Sequence, residues 1–229
     1  MNAVLYLVTG TRPQTAIDLV RATPPRDGHG LGYISRPGSN PPPDAGWFAL
    51  DNGCVMAGPD HTPIDNPRWS EARWTAMLER HAGQAHRCLF VVLPDVVCDH
   101  RATLDRSLPY VSYVRDLGYP TAPAAQNGAE SDPALPWHLI DAVFLAGDDS
   151  WKLGGHAHRI AVAARQRGRW VHMGRVNSLK RIRRAAVMGC DSADGTFLKH
   201  GPDVNLVRLL RWLDHLADVP TLPHAEEVA

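Results

Sequence analysis

Short apolar runs alternate with helical segments along almost the whole of this 229-residue chain, and this alternation limits the fold most. Helices placed between strands favour a parallel sheet, because a helix returns the chain to the edge where the next strand starts. Cys88–Leu93 is the clearest strand, since it is apolar at every position. We predict eight strands: Ala3–Val8, Leu31–Ser35, Trp47–Leu50, Cys88–Leu93, Thr121–Ala125, Ala142–Ala146, Trp170–Met173 and Cys190–Ala193.

The helical segments between these strands show the amphipathic spacing of helices that cover a sheet. Eight strands in one α/β domain predict a compact (β/α)8 TIM barrel that spans residues 1–229. A doubly wound open sheet, in which the first and eighth strands do not pair, is the alternative. The Pro-rich stretches Arg36–Asp44 and Gly58–Pro67 are predicted loops, and the polar tail after residue 217 is expected to fray. The predicted helices are 12–20, Pro67–His81, Arg101–Leu117, 151–167, Ser178–Met188 and Asp203–Leu216.

Composition excludes several classes of protein. Lys plus Arg and Asp plus Glu each number 24, so any nucleic-acid contact requires a local basic patch. No apolar run approaches the roughly 20 residues that span a bilayer, and no signal peptide is recognisable, which predicts a soluble cytoplasmic protein. The four cysteines form no CxxC pair and the histidines are scattered, so we predict no metal and no cofactor.

Polar residues and glycines follow almost every predicted strand. Each alone could be an ordinary turn residue or helix N-cap, as we expect for Asp99. Together they predict a binding site, because the carboxyl ends of parallel barrel strands meet at one rim. Lys152 could face this site or solvent, and the role of Asp191 is open. The segments concerned are 51–53, 94–95, 126–128, 147–149, 175–178 and 194–195.

A basic helix starts at the same rim. Ser178–Met188 carries Lys180, Arg181, Arg183 and Arg184, and Arg175 lies in the loop before it. Such a helix is often only a solvated face, but the helix after the seventh strand of a barrel also commonly binds phosphate. Contact with a phosphate backbone and a purely solvated face therefore both remain open.

These motifs, in this order, resemble the tRNA-guanine transglycosylase superfamily. The chain is most similar to the DpdA-like 7-deazaguanine DNA transglycosylases of phages and bacteria. The resemblance runs from about residue 50 to residue 198, and its two most specific segments are 172–176 and 189–194. The earlier segments support them by their order: Ala49-Leu50-Asp51-Asn52-Gly53, Leu93-Pro94-Asp95, Ala125-Gln126-Asn127-Gly128 and Leu145-Ala146-Gly147.

The resemblance implies that guanine in DNA is replaced by a free 7-deazaguanine base, such as a queuine or preQ0 type. By position, Asp194 would be the nucleophile that forms a covalent glycosyl-enzyme, and Asp51 the general base. Accessory modification proteins are possible further partners. The implied contacts to substrate come from Asn52, Gly53, Asp95, Gln126, Gly147, Met173 and Gly174. Those to the nucleic-acid backbone come from Arg175, Lys180, Arg181 and Arg184.

The chain also departs from the tRNA enzymes. Their Cys-x-Cys-x-x-Cys…His zinc motif is absent, so the resemblance implies a barrel without a zinc subdomain. Asn52 stands where those enzymes have serine, and Ala146 replaces the first glycine of their base-binding pair. DNA is therefore expected in preference to tRNA. An N-glycosidase, a nucleoside deoxyribosyltransferase and a non-catalytic nucleic-acid-binding barrel are the alternatives.

Overall fold

A computed structural model of the protein describes residues 4–9, 30–39, 46–131, 134–199 and 201–218, together with positions 18, 42 and 44. The predicted helix at 12–20 and the tail beyond residue 218 lie outside these residues, apart from position 18. Eleven strands occur in the described part: β1 (Leu5–Val8), β2 (Gly30–Ser35), β3 (Phe48–Leu50), β4 (Val55–Ala57), β5 (Pro63–Asp65), β6 (Cys88–Val92), β7 (Thr121–Ala122), β8 (Ala124–Ala125), β9 (Ala142–Leu145), β10 (Trp170–Met173) and β11 (Ser192–Gly195).

Nine of the strands form one parallel sheet in the order β7-β6-β3-β2-β1-β11-β10-β9-β8. Its two edge strands are separated in sequence only by Pro123, so the sheet is a nearly closed barrel. Proline has no backbone N–H to donate, which explains why the predicted strand Thr121–Ala125 is divided there. β1 pairs with β11 along Leu5–Val8 and Ser192–Gly195, so the alternative prediction of an open sheet is wrong.

The eighth predicted strand lies two residues later than the sequence indicates. Gly189 adopts a φ of +77°, and the N–H of Cys190 still bonds the carbonyl of Ala185 in the preceding helix. Cys190 and Asp191 are therefore turn residues, and the strand begins at Ser192. As a consequence Asp194 lies inside the strand, paired in register with Leu7, instead of following it.

Side chains alternate between the two faces of each strand, because successive residues of a strand point in opposite directions. One set faces the interior of the barrel and forms a small apolar cluster that includes Leu5, Leu7, Phe90 and Val92. The other set, which includes Tyr6 and Met173, packs with the buried faces of the surrounding helices in a much larger core. This alternation puts the polar residues of β10 and β11 inside the barrel.

Helices cover the outside of the sheet, and several begin with a side-chain cap. Ser70, Asp99, Asp148 and Ser178 each accept a backbone N–H at a helix start, which confirms the prediction for Asp99. Two predicted helices are broken. The helices are α1 (Glu71–His81), α2 (His100–Ser107), α3 (Val111–Asp116), α4 (Asp149–Lys152), α5 (Gly155–Arg165), α6 (Leu179–Val187) and α7 (Pro202–Asp214).

The breaks have local causes. A 3-10 turn at Leu108–Tyr110, which contains Pro109, separates α2 from α3, and Gly154 precedes α5. The predicted loop Gly58–Pro67 is wrong in part, because Pro63–Asp65 pairs with Val55–Ala57 as an antiparallel hairpin. None of the helices in the described ranges is long and apolar enough to cross a membrane.

Candidate active site

The carboxylate of Asp194 lies inside the barrel, near the C-terminal ends of the strands. Its side chain retains 15% exposure, so it is sheltered but can still be reached. Asp194 Oδ1 lies 3.0 Å from Nε2 of His172 on the neighbouring strand β10. Gly174 packs beside it with no room for a side chain, since a Cβ on that glycine would lie 3.5 Å from Asp194 Oδ1 and 2.7 Å from the Phe144 ring. The result is a fixed carboxylate that is closely packed on the side of Phe144.

His172 belongs to a chain of hydrogen bonds that determines which ring nitrogen carries the proton. Its Nδ1 lies 2.8 Å from Ser192 Oγ, and the indole N–H of Trp170 donates to the same oxygen at 2.8 Å. Indole can only donate, so the hydroxyl proton of Ser192 is free to bond Nδ1. Neutral His172 then carries its proton on Nε2 and donates it to Asp194.

The imidazole of His172 is also held by packing. It is fully buried, and its ring centroid lies 5.1 Å from that of Phe90 and 4.6 Å from that of Phe144. Sequence reasoning missed this residue as a site residue. The sequence signal was the alternation of side chains along a strand, which puts Trp170, His172 and Gly174 on one face of an otherwise apolar strand. A histidine on the inner face of a barrel strand, two residues before a glycine, could have been predicted to lie beside the rim.

Asp51 follows β3 and lies at the same end of the barrel. Its Oδ1 accepts the N–H of Gly53 at 3.0 Å, and Gly53 adopts a φ of +73° that favours glycine. Burial raises the pKa of Asp51, and the negative charge of Asp194 raises it further against the opposing effects of the Gly53 N–H, Arg36 and His172. The two predicted catalytic carboxyl groups are therefore close enough for their charges to interact.

Asp95 is the centre of a buried polar network. Only 3% of the residue is exposed, and its two carboxylate oxygens accept the amide groups of Asn52 at 3.0 Å and Gln126 at 2.6 Å. Burial raises the pKa of Asp95 to about 6, with a further contribution from Asp51, while both amide donors lower it. This carboxyl group titrates closer to neutral pH than an ordinary aspartate.

The network extends from Gln126 to the loop after β9. Gln126 Oε1 accepts the N–H of Gly147 at 3.0 Å and that of Cys98 at 3.0 Å. Asn52 likewise bonds the Leu93 carbonyl and the Cys54 N–H. The structure thus brings four of the predicted substrate contacts into one connected group: Asn52, Asp95, Gln126 and Gly147. These groups satisfy each other's hydrogen-bonding capacity.

Other predicted site residues have different surroundings. Gly174 lies beside Asp194, and the carbonyl of Gly53 accepts the side-chain amide of Asn66 at 2.9 Å. The side chain of Met173 is fully buried in the core between sheet and helices, so it faces away from the barrel interior. Asp191 binds the Val171 N–H and lies 3.7 Å from Arg165 at the opposite end of its strand, which gives it a structural role.

Three of the four predicted backbone contacts are engaged within the protein. The guanidinium of Arg175 donates to the Gly147 carbonyl, and Arg181 bonds both Asp149 and the Arg175 carbonyl. Arg184 donates to the carbonyls of Leu153 at 3.0 Å and Gly154 at 3.2 Å. Lys180 is exposed. The basic helix therefore anchors the loop after β9, and Lys180 is the predicted phosphate contact that lies free on the surface.

Lys152 faces the protein interior and not solvent. Its side chain is fully buried, in contrast to the solvated helix start that was one of the two predictions. Within the described residues, no group of three or more His, Cys, Asp or Glu side chains is arranged to hold a metal ion.

No family model and no curated protein sequence matches this chain. Among solved structures 126 chains match. One of them is described as the PaMucR phosphodiesterase in a c-di-GMP complex, with 11% sequence identity and a TM-score of 0.40. The alignment covers 66% of this chain and 60% of that one, so this chain spans less than two thirds of the length of the matched structure. A likeness at this level carries no argument about activity.

Proposed function

We propose that this protein is a base-exchange transglycosylase that replaces guanine in DNA with a 7-deazaguanine base, on a (β/α)8 barrel. One observation carries the proposal: Asp194 is a reachable carboxylate fixed by His172, and its charge raises the pKa of a second carboxyl group, Asp51. Two carboxyl groups with separate tasks suit displacement at a sugar carbon through an oxocarbenium-like transition state.

The first half-reaction makes the glycosyl-enzyme. A carboxylate oxygen of Asp194 attacks C1′ of the nucleotide, the bond from C1′ to N9 breaks, and its electron pair leaves with guanine. The departing base takes a proton from Asp51, whose raised pKa favours the protonated form. The His172 N–H orients Asp194 for the attack and stabilises it when the ester is later broken.

The second half-reaction reverses these steps with another base. Ionised Asp51 takes the N9 proton of the incoming 7-deazaguanine, and N9 attacks C1′ as the ester bond to Asp194 breaks. Asp51 is thereby reprotonated and Asp194 is released as a carboxylate. Protons and electrons balance over the cycle without a metal or a cofactor, since one purine is exchanged for another.

The connected group around Asp95 supports a purine as the exchanged base. A carboxylate at Asp95 would accept the N1–H and amino N–H of a guanine ring, and the Gly147 N–H would donate to its O6. The base would then replace the bonds that Asn52 and Gln126 make to Asp95. A target inside duplex DNA would have to be flipped out or presented as a single strand.

The experiment is incorporation of a labelled 7-deazaguanine base into guanine-containing DNA. The expected result is label in the DNA with the wild-type protein and no incorporation by Asp194→Asn. Asp191→Asn is the matched control, because Asp191 lies in the turn that precedes the same strand, at the end away from Asp194. Release of free guanine without incorporation would indicate an N-glycosidase instead. Neither release nor incorporation, with DNA still bound, would indicate a non-catalytic barrel.

A further inference from the structure

Within the part of the chain that the structure describes, Lys152 carries a buried ammonium group that makes no hydrogen bond. Its side chain has no exposed surface, and Nζ has no hydrogen-bond partner among the residues described. The nearest carboxylate is Asp149, whose Oδ1 lies 3.5 Å away. A lysine ammonium has three N–H donors, and leaving them unused away from water is costly. Few buried lysines persist in this state without a functional reason.

The charges around Lys152 do not balance. Lys152 and Arg181 share the single carboxylate of Asp149. The guanidinium of Arg175, which also acts on Lys152, donates to the neutral carbonyl of Gly147. Asp194 lies within electrostatic range of Lys152 but has its own hydrogen bond from His172. Three cations therefore face two carboxylates at the rim of the barrel, next to the predicted nucleophile.

We propose that Lys152 and Arg175 together bind one phosphate group of the nucleotide whose sugar faces Asp194. The assignment of this phosphate to a nucleotide substrate rests on the proposed function, whereas the phosphate site itself does not. A phosphate supplies several acceptor oxygens and the negative charge that the cluster lacks. An ammonium together with a guanidinium fork is a common pair for such a group.

The side chain of Arg175, and not its backbone, is the part of this site that can move. Arg175 has a φ of +61°, which is uncommon for a residue other than glycine, and the Arg181 side chain bonds its carbonyl at 2.9 Å. The backbone is thus fixed in a strained conformation while the half-buried side chain can exchange one acceptor for another. A phosphate that takes the guanidinium from Gly147 would then also accept hydrogen bonds from the Lys152 ammonium.

Burial and the positive charges of Arg175 and Arg181 lower the pKa of Lys152 to about 8, against the opposing effects of Asp149 and Asp194. A bound phosphate would raise this pKa again, because an opposite charge favours the ammonium form. This is a consequence of the site and not its basis, which is the buried ammonium without a hydrogen bond among the described residues and the excess of positive charge.

The test compares binding of dGMP with binding of deoxyguanosine by calorimetry, and inorganic phosphate serves as a competitor. The wild-type protein is expected to prefer dGMP, and Lys152→Met is expected to lose that preference by about 10- to 100-fold. Lys199→Met is the matched control, since Lys199 is an exposed lysine of the same chain. Arg175→Gln provides a second variant, expected to reduce the preference in the same direction.

Thermal unfolding separates this proposal from a structural role. Lys152→Met removes a buried charge that makes no hydrogen bond to the described residues, and Asp149 keeps its ion pair with Arg181, so the melting temperature is expected to stay the same or rise. Equal binding of dGMP and deoxyguanosine by the wild type, or an unchanged preference in both variants, would overturn the proposal. A phosphate site without any base exchange would leave this inference standing and remove the transglycosylase. Base exchange without a preference for dGMP would support the transglycosylase and overturn the phosphate site.

Discussion

His172 and Asp194 are joined by a 3.0 Å hydrogen bond inside the barrel, and Trp170, two contacts away, favours the neutral His172 tautomer that donates it. Trp170 donates to Ser192, Ser192 donates to His172, and His172 donates to Asp194. Each link lies on β10 or β11, so the arrangement depends on two adjacent strands and not on loops. In the proposed reaction, an Asp194 nucleophile held in this way would need little reorganisation.

His172→Phe is expected to reduce kcat about 10- to 100-fold and to leave KM nearly unchanged. Phenylalanine keeps the ring packing against Phe90 and Phe144 but removes the N–H that orients Asp194. His172→Gln should retain a larger part of the activity, because the glutamine amide can donate near the position of Nε2. Steady-state kinetics of base exchange would measure both variants.

The melting temperatures of the two variants provide the control for this comparison. If His172→Gln is as inactive as His172→Phe although both proteins are equally stable, then orientation of Asp194 is not the role of the histidine. A large rise in KM with unchanged kcat would indicate instead that His172 acts on ground-state binding.

Asp194→Asn is expected to lower the pKa of Asp51. The negative charge of Asp194 is one of the causes that raise this pKa, second to burial, so its removal should bring the value part of the way back. Titration of the side-chain carboxyl carbons by NMR would measure the change, with Asp191→Asn as the matched control. An unchanged Asp51 pKa would mean that the two carboxyl groups do not share a pocket, and the proposed division of roles would fail.

The strands and the positions of most rim residues were predictable because a buried parallel strand is apolar along its length. Trp170–Met173 has the predicted bounds, and Cys88–Val92 differs from its prediction by one residue. The last strand was placed wrongly because Ser192-Ala193-Asp194-Gly195 has almost no apolar character. Its place in the sheet depends on pairing with β1 and β10, which are distant in sequence.

The interior of the site was less predictable for the same reason. His172 contacts Asp194 only because β10 and β11 are neighbours in the sheet, and a local pattern does not encode that distance. For Lys152 the sequence left two placements, facing the site or facing solvent, because a basic residue in a helix is usually exposed. The three arginines predicted to bind a phosphate backbone proved to bond carbonyls and Asp149, because the folded chain brings α6 against the loop after β9.

The stability of the wild-type protein relative to Asp95→Asn is expected to fall as the pH rises from about 4 to about 6. In the native state the pKa of Asp95 is raised to about 6, so the native state holds its proton more tightly than the unfolded chain. The contribution of protonated Asp95 to the free energy of unfolding is fully present at a pH below the pKa of Asp95 in the unfolded chain. It is lost as the pH rises through the pKa of Asp95 in the native state. A shift of about two pH units corresponds to about 3 kcal/mol.

Denaturant unfolding of both proteins across this pH range would measure the difference. In Asp95→Asn the new amide N–H2 faces the amide donor of Asn52 or Gln126, which lowers the stability of the variant at every pH. The informative quantity is therefore the change of the stability difference with pH, and not its absolute size. Parallel curves for the two proteins would show that Asp95 titrates as an ordinary exposed carboxyl group. The pH dependence of the free energy of unfolding would then give no support to the proposal that Asp95 is a buried carboxylate that binds a base.

Gly174→Ala is expected to destabilise the protein by about 1–3 kcal/mol and to reduce base exchange more than stability alone explains. A Cβ at this position would lie 2.7 Å from two carbons of the Phe144 ring, and that ring packs on His172 with 4.6 Å between centroids. A displaced Phe144 therefore moves the imidazole that orients Asp194. Gly83→Ala is the matched control, because a Cβ on Gly83 meets nothing within 4 Å. If Gly174→Ala unfolds like wild type and exchanges bases at the wild-type rate, then the space beside Asp194 is wider than this packing allows and the glycine has no part in the site.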